Sequence, residues 1–201
     1  MEAMTDNTYI TKGIESSMSY AAYESLVKDL YEKGLSTTKG GPDSLLEYTK
    51  LNISRMKRLG KTTKLSAEVI AKMKTINRPI TWLVLSEGWC GDAAQNLPVI
   101  NALAEQNDQI DLKIVLRDEN PELMQAFLTN GNMAIPKLIQ IENDEVTNTW
   151  GPRPAVAAKM VIDYKAAHGA LTPEFKTDLQ VWYNQDKGVN TIADILKLLN
   201  L

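Results

Sequence analysis

The chain has one cysteine, Cys90, set in Ser86-Glu87-Gly88-Trp89-Cys90-Gly91-Asp92-Ala93 where an apolar run gives way to a helical pattern. A thiol at the first turn of a helix meets free backbone N–H groups and the positive end of the helix dipole. Both favour the thiolate, the form that attacks disulfides. Redox enzymes keep two thiols in such a turn, the second three residues after the first. Here that position is Ala93, so the spacing keeps the attacking half of the chemistry and leaves resolution to another molecule. Gly91 allows close backbone approach and leaves the thiol uncrowded. Asp92 supports the helix start as a first-turn carboxylate, but turned toward Cys90 it would oppose the thiolate. Trp89 offers a rigid contact surface beside the sulfur.

The elements that must position these residues follow from periodicity. The first 79 residues read as helical throughout. Met18, Ala22, Leu26 and Leu30 form one apolar face ending at Gly34, Pro42-Asp43-Ser44 opens a second helix to about Leu59, and Leu65-Ser66 precedes a third. Residues 79–87, PITWLVLSE, are a continuous apolar run of strand length, as expected of a central strand covered on both faces. A helix from the cysteine turn, a strand over 110–118 and a short helix from Pro121 come next. A hairpin over 136–141 and 145–150 turns at Glu142-Asn143-Asp144. Helices are predicted over 153–168, closed by Gly169, over 173–184 behind Thr172-Pro173, and over 191–200. This order implies a parallel strand pair made by a crossover, an antiparallel hairpin beside it, and helices around them.

The chain's 201 residues, 44% hydrophobic and 23% charged, suit one ample core. The net charge of −3 offers nothing to nucleic acid or an anionic membrane surface. No apolar run approaches the ~18 residues of a membrane span, and MEAMTDNTYITKG lacks the pattern of a secretory signal, so the expected compartment is cytoplasmic. One cysteine excludes an intramolecular disulfide. With one histidine, His168, it also argues against a transition-metal site, so no metal and no cofactor is expected.

GWCGDA closely resembles the WCGPC turn of thioredoxins. Pro98, eight residues after the cysteine, matches the proline that kinks their active-site helix, and AIPKLI places Pro136 where that fold has a cis-proline facing the thiols. Trp150-Gly151 matches the end of the last strand, and the element order agrees over 79–168. YTKLNISRMKRL, EGWCGDAAQNLPVI, LRDENPELM, NGNMAIPKLI and WGPRP together resemble a bacterial subfamily of thioredoxin-like proteins with a helical N-terminal extension. The resemblance implies an α/β, thioredoxin-like fold: a mixed sheet of about four strands flanked by helices. It divides the chain into a helical extension (1–78), the core (79–168) and C-terminal helices (169–201) in one compact domain. It implies Cys90 as nucleophile, with Pro136 and Ile135 lining an apolar side of the groove. Of three arginines near converging loops, it favours Arg117, at a strand C-terminus, over Arg153 and over Arg55, whose run SRMKRLGKTTK reads as a solvated face. A thioredoxin's buried aspartate aligns with Val84 and its lysine partner with about Ile114, both apolar here.

The expected function is therefore a monothiol thiol–disulfide oxidoreductase acting on a protein or small-molecule thiol or disulfide, with an external thiol resolving the mixed disulfide. A peroxide-reacting cysteine is its close relative. Monothiol glutaredoxins share Cys-Gly-x-small, but TWGPRPAVA lacks their glutathione-binding segment. The competing class is a redox-inactive binding module on a thioredoxin scaffold. A third reading pairs two chains through Cys90 under oxidising conditions, and the oligomeric state stays open.

Overall fold

The computed structural model describes residues 6–201, so the first five residues of the expected 1–78 extension lie outside it. Four helices come first: α1 (Asp6–Glu15), α2 (Tyr20–Glu32), α3 (Ser44–Thr62) and α4 (Ala67–Lys74). The Ser19 and Ser66 side chains cap α2 and α4 by accepting the backbone N–H of Ala22 and Val69, each at 3.2 Å. Strand β1 (Ile80–Ser86) follows, then α5 (Gly91–Ala104), β2 (Ile110–Leu116), a short 3-10 turn, α6 (Pro121–Ala126), β3 (Lys137–Glu142) and β4 (Glu145–Trp150). Helices α7 (Ala155–His168), α8 (Pro173–Asp186) and α9 (Val189–Leu198) complete the chain. Among the described residues no helix is long and apolar enough to cross a membrane.

The four strands form one mixed sheet in the order β2-β1-β3-β4. The β1–β2 pair is parallel, while β3 runs antiparallel to β1 and β4 antiparallel to β3. The α5 crossover makes the parallel pair. The β3–β4 turn is tight because Asn143 and Asp144 both take positive φ, 51° and 64°. Strand β1 is central and buried along nearly its whole length, as its unbroken apolar run requires. Val84 lies opposite Ile114 in the β1–β2 register, and both are fully buried.

One hydrophobic cluster runs from Ile10 and Tyr23 through the sheet to Ile195 and Leu199. A smaller one, with Val161, Phe175 and Leu179, joins α7 to α8. Helix α3 packs on α5, and α9 packs on α5 and β4. Met18 departs from its expected helical position. It lies before the Ser19 cap and pairs with Ile114 through two backbone hydrogen bonds of 2.9 and 2.8 Å, covering the open side of β2. The N-terminal segment thus both extends the sheet edge and supplies helices to the site.

Candidate functional site

Cys90 is the N-cap of α5, its backbone extended at φ −78° and ψ 114°. Its Sγ accepts the Ala93 N–H at 3.4 Å and donates to the Ile135 carbonyl at 3.3 Å. The Ile135–Pro136 peptide is cis, as is Gly151–Pro152. These two loops meet closely: a Cβ on Gly151, where φ is +117°, would lie 2.1 Å from the Pro136 carbonyl oxygen, so only glycine fits. The thiol is 8% exposed, with Ala93 and Ile135 buried against it. Burial pushes the Cys90 pKa up to about 12, and the charge of Asp92 adds to that. The N–H groups of Ala93 and Asp92 and the cation of Arg153 oppose it and lose. The expected activation by the helix terminus is therefore present but outweighed.

Asp92 is held in a buried polar network. Its Oδ2 pairs with Arg153 Nη2 at 2.6 Å, and its Oδ1 accepts the Tyr183 hydroxyl at 2.9 Å. Asn96 Nδ2 donates to the Asp92 carbonyl (2.8 Å) and to Tyr183 Oη (3.3 Å), and the Thr191 hydroxyl donates to Asn96 Oδ1 (2.6 Å). Burial raises the Asp92 carboxyl above its ordinary value against the pull of Arg153 and Tyr183. Gln95 Nε2 donates to Gln180 Oε1 at 3.0 Å, so α8 lies along the first two turns of α5.

The N-terminal extension walls the other side. Asn52 of α3, fully buried, donates to the Gly88 carbonyl at 3.0 Å and accepts from Arg55 Nη1 at 2.7 Å. Gly91 sits beneath Arg55 and Gln180, and a Cβ there would lie 3.7 Å from Arg55 Nη1 and 3.3 Å from Gln180 Nε2. In the loop between α2 and α3, Thr37 Oγ1 accepts the Gly88 N–H (3.1 Å) and Thr38 Oγ1 accepts Trp89 Nε1 (2.7 Å). A cleft of about 550 Å³ opens behind this loop, lined by Leu26, Leu30, Leu46 and Leu116, with none of the cysteine turn on its wall.

Of the residues expected at the site, Trp89, Gly91, Asp92, Ala93, Ile135 and Pro136 gather around Cys90. Arg117 does not reach the thiol. It pairs with Asp118 (2.7 Å) and lies over the Trp89 ring at 5.0 Å. Arg153, ranked below it from the sequence, is the cation whose charge Cys90 feels. Arg55 is half-buried over Gly91 rather than on a solvated face, because Asn52, Met56 and Leu59 turn that side of α3 inward. Tyr183, Gln180, Asn96, Asn52, Thr37 and Thr38 escaped the sequence reading. Asn52 alone carried a usable signal, a polar residue four and seven positions before Met56 and Leu59 on one helical stripe. Glu87, fully buried, accepts the Asp118 N–H at 2.9 Å, and burial raises its carboxyl above the usual range.

A mixed sheet in this order, with a cysteine capping the helix after its central strand and a proline loop against the sulfur, defines a thioredoxin fold. The sequence model of the thioredoxin family matches residues 41–165, more than half of the chain, and the chain belongs to that family. Among solved structures it is similar to a protein of unknown function from Pseudomonas aeruginosa. The identity is 17% over 94% of this chain and 96% of that one, with a TM-score of 0.62. It is also similar to an HIV epitope-scaffold, at 17% identity over 91% and 98% of the two chains with a TM-score of 0.55. At these identities the likeness concerns the fold. None of the curated proteins matches this chain.

Proposed function

We propose that this chain is a redox-silent thioredoxin-fold binding protein, in which Cys90 is a protonated, hydrogen-bonded part of the site rather than a standing nucleophile. The observation that carries this reading is the state of Sγ: buried, donating to the Ile135 carbonyl at 3.3 Å, with its pKa pushed up to about 12. At pH 7 the ionised fraction is about a thousandth of that of a thiol at its ordinary value, and the higher intrinsic nucleophilicity of a basic thiolate recovers about twentyfold of this. A deficit of roughly 50-fold remains before steric exclusion is counted. The missing thiol at Ala93 and the apolar Val84–Ile114 pair agree with a site that carries no exchange cycle. The partner on this reading is a protein or small molecule that contacts the Trp89–Arg117 stack, since tryptophan and arginine are the side chains that most often anchor interfaces.

A second reading, monothiol exchange, is favoured by the Ala93 N–H on Sγ and by the nearby Arg153 cation. In it the Cys90 thiolate attacks one sulfur of a disulfide, forming a mixed disulfide and expelling the other sulfur as a thiolate, and an external thiol then releases Cys90. That step needs the Ile135 loop to move off the sulfur.

The two are separated by incubating the reduced full chain with glutathione disulfide at pH 7.5 and following its intact mass. The binding reading predicts no adduct on the folded chain and a full adduct in urea. Rapid formation of one adduct on the folded chain would establish exchange.

A further inference from the structure

Exclusion of water is one reason for the thiol to keep its proton, and a neighbouring charge supplies another. We propose that Asp92 is the residue that holds Cys90 as a thiol, and that Arg153 and Tyr183 serve to keep its carboxylate buried in the first turn of α5. This rests on the redox-silent reading and names the device behind it.

A carboxylate at this helix position has an ordinary explanation, since it can accept the free first-turn N–H groups. Asp92 is not used that way. Both of its oxygens are committed elsewhere, Oδ2 to Arg153 at 2.6 Å and Oδ1 to the Tyr183 hydroxyl at 2.9 Å. The second tier is equally specific. Asn96 Nδ2 donates to Tyr183 Oη, so the tyrosine's own proton goes to Asp92, and Thr191 fixes Asn96 through its amide oxygen. Four separate pieces of chain meet here: α5, the loop after β4, α8 and α9. Three of the four partners, Arg153, Tyr183 and Thr191, lie beyond the central β1–β4 unit.

The consequence for Cys90 is electrostatic. A thiolate would place a second negative charge two residues from the first, in the same buried turn. The charged and titratable groups facing this pair are Arg153 and Tyr183 at Asp92, and Arg153 and the buried Tyr23 of α2 at Cys90. The arginine's Nη2 is engaged by the carboxylate, and the sulfur's own hydrogen bonds are the N–H of Ala93, which would support a thiolate, and the carbonyl of Ile135, which requires the S–H. The anion of Asp92 outweighs the Arg153 cation at the sulfur. With an uncharged residue at position 92 burial alone would hold the proton, and the thiol would ionise at a lower pH than it does beside the carboxylate.

The test is the protonation midpoint of the lone cysteine, read from its ¹³Cβ NMR signal in full-length wild type, Asp92→Asn and Tyr183→Phe. Asp92→Asn is expected to lower the midpoint, and every pH unit by which it falls means about tenfold more thiolate at a fixed pH below it. Tyr183→Phe loosens the same contact but keeps the charge, and its midpoint should not fall. If Asp92→Asn leaves the midpoint in place, or shows no difference from wild type up to alkaline unfolding, the proposal is overturned. An equal fall in both variants also overturns it, by assigning the effect to opening of the site. Should Asp92→Asn fail to fold with Arg153 left buried, the neutral pair Asp92→Asn/Arg153→Gln is measured instead, with the same outcomes. A wild-type midpoint below that of a free thiol would defeat the redox-silent reading itself, a result distinct from these.

Discussion

In the folded chain Cys90 keeps its proton to about 12, whereas the unfolded thiol releases it near 9.0. Between those values the unfolded state binds fewer protons than the native state, so stability falls as pH rises. Below 9.0 the contribution is fully present. A Cys90→Ala variant lacks this dependence, so the stability gap between wild type and variant should shrink by about 2 kcal/mol from about pH 7.5 to about pH 10.5. Urea unfolding at the two pH values measures it, and a constant gap would mean that the thiol titrates alike in both states. At the same scale, Gly151→Ala must place a Cβ against the Pro136 carbonyl at a φ that disfavours side chains. It should cost about 3 kcal/mol or more, and a loss under about 1 kcal/mol would show that the loops can separate freely. The motif residues Trp89, Cys90 and Pro136 were legible in sequence because turn, helix start and proline are local signals. The thiol's suppressed acidity was not, since it comes from burial by chain that is remote in sequence.

Among the elements, those with local punctuation follow directly from the sequence. Thr172-Pro173 opens α8, Gly169 with φ 79° closes α7, and Asn143-Asp144 turns the hairpin. Elsewhere packing overrides pattern. Met18 carries the right residue type for a helical face but serves as a strand partner, and Arg55 belongs to a basic run yet is turned inward by its neighbours on α3. The link between α3 and the cysteine turn gives an element-scale prediction. Asn52→Ala leaves the buried Gly88 carbonyl without its side-chain donor and frees Arg55, and should destabilise by about 1–3 kcal/mol. Chemical denaturation checks this, and an unchanged midpoint would mean that α3 does not brace the turn.

At the scale of the whole molecule, the helices outside the central sheet unit complete the site as well as cover it. Asn52, Arg55, Thr37 and Thr38 come from before β1, and Gln180, Tyr183 and Thr191 from after α7. Their contacts span large sequence separations, 91 residues for Tyr183 to Asp92 and 95 for Thr191 to Asn96, which no local pattern reports. Helix α9 with Ile195, and Leu199 directly after it, close the main core, both residues essentially without exposure. Ile195→Ala should therefore cost about 2–4 kcal/mol in denaturant unfolding, where a satellite helix would cost almost nothing.

The reading proposed for Cys90 is a buried thiol that keeps its proton at neutral pH. The most direct test is the rate of Cys90 alkylation by iodoacetamide as a function of pH, in the folded full chain against the same chain in urea. With a single cysteine the signal has one source. Folded-state labelling should be at least roughly 50-fold slower than unfolded at pH 7.5, with a midpoint well above 9.0. Faster labelling of the folded chain, with a midpoint below 9.0, would contradict a buried, protonated thiol and make Cys90 an active nucleophile.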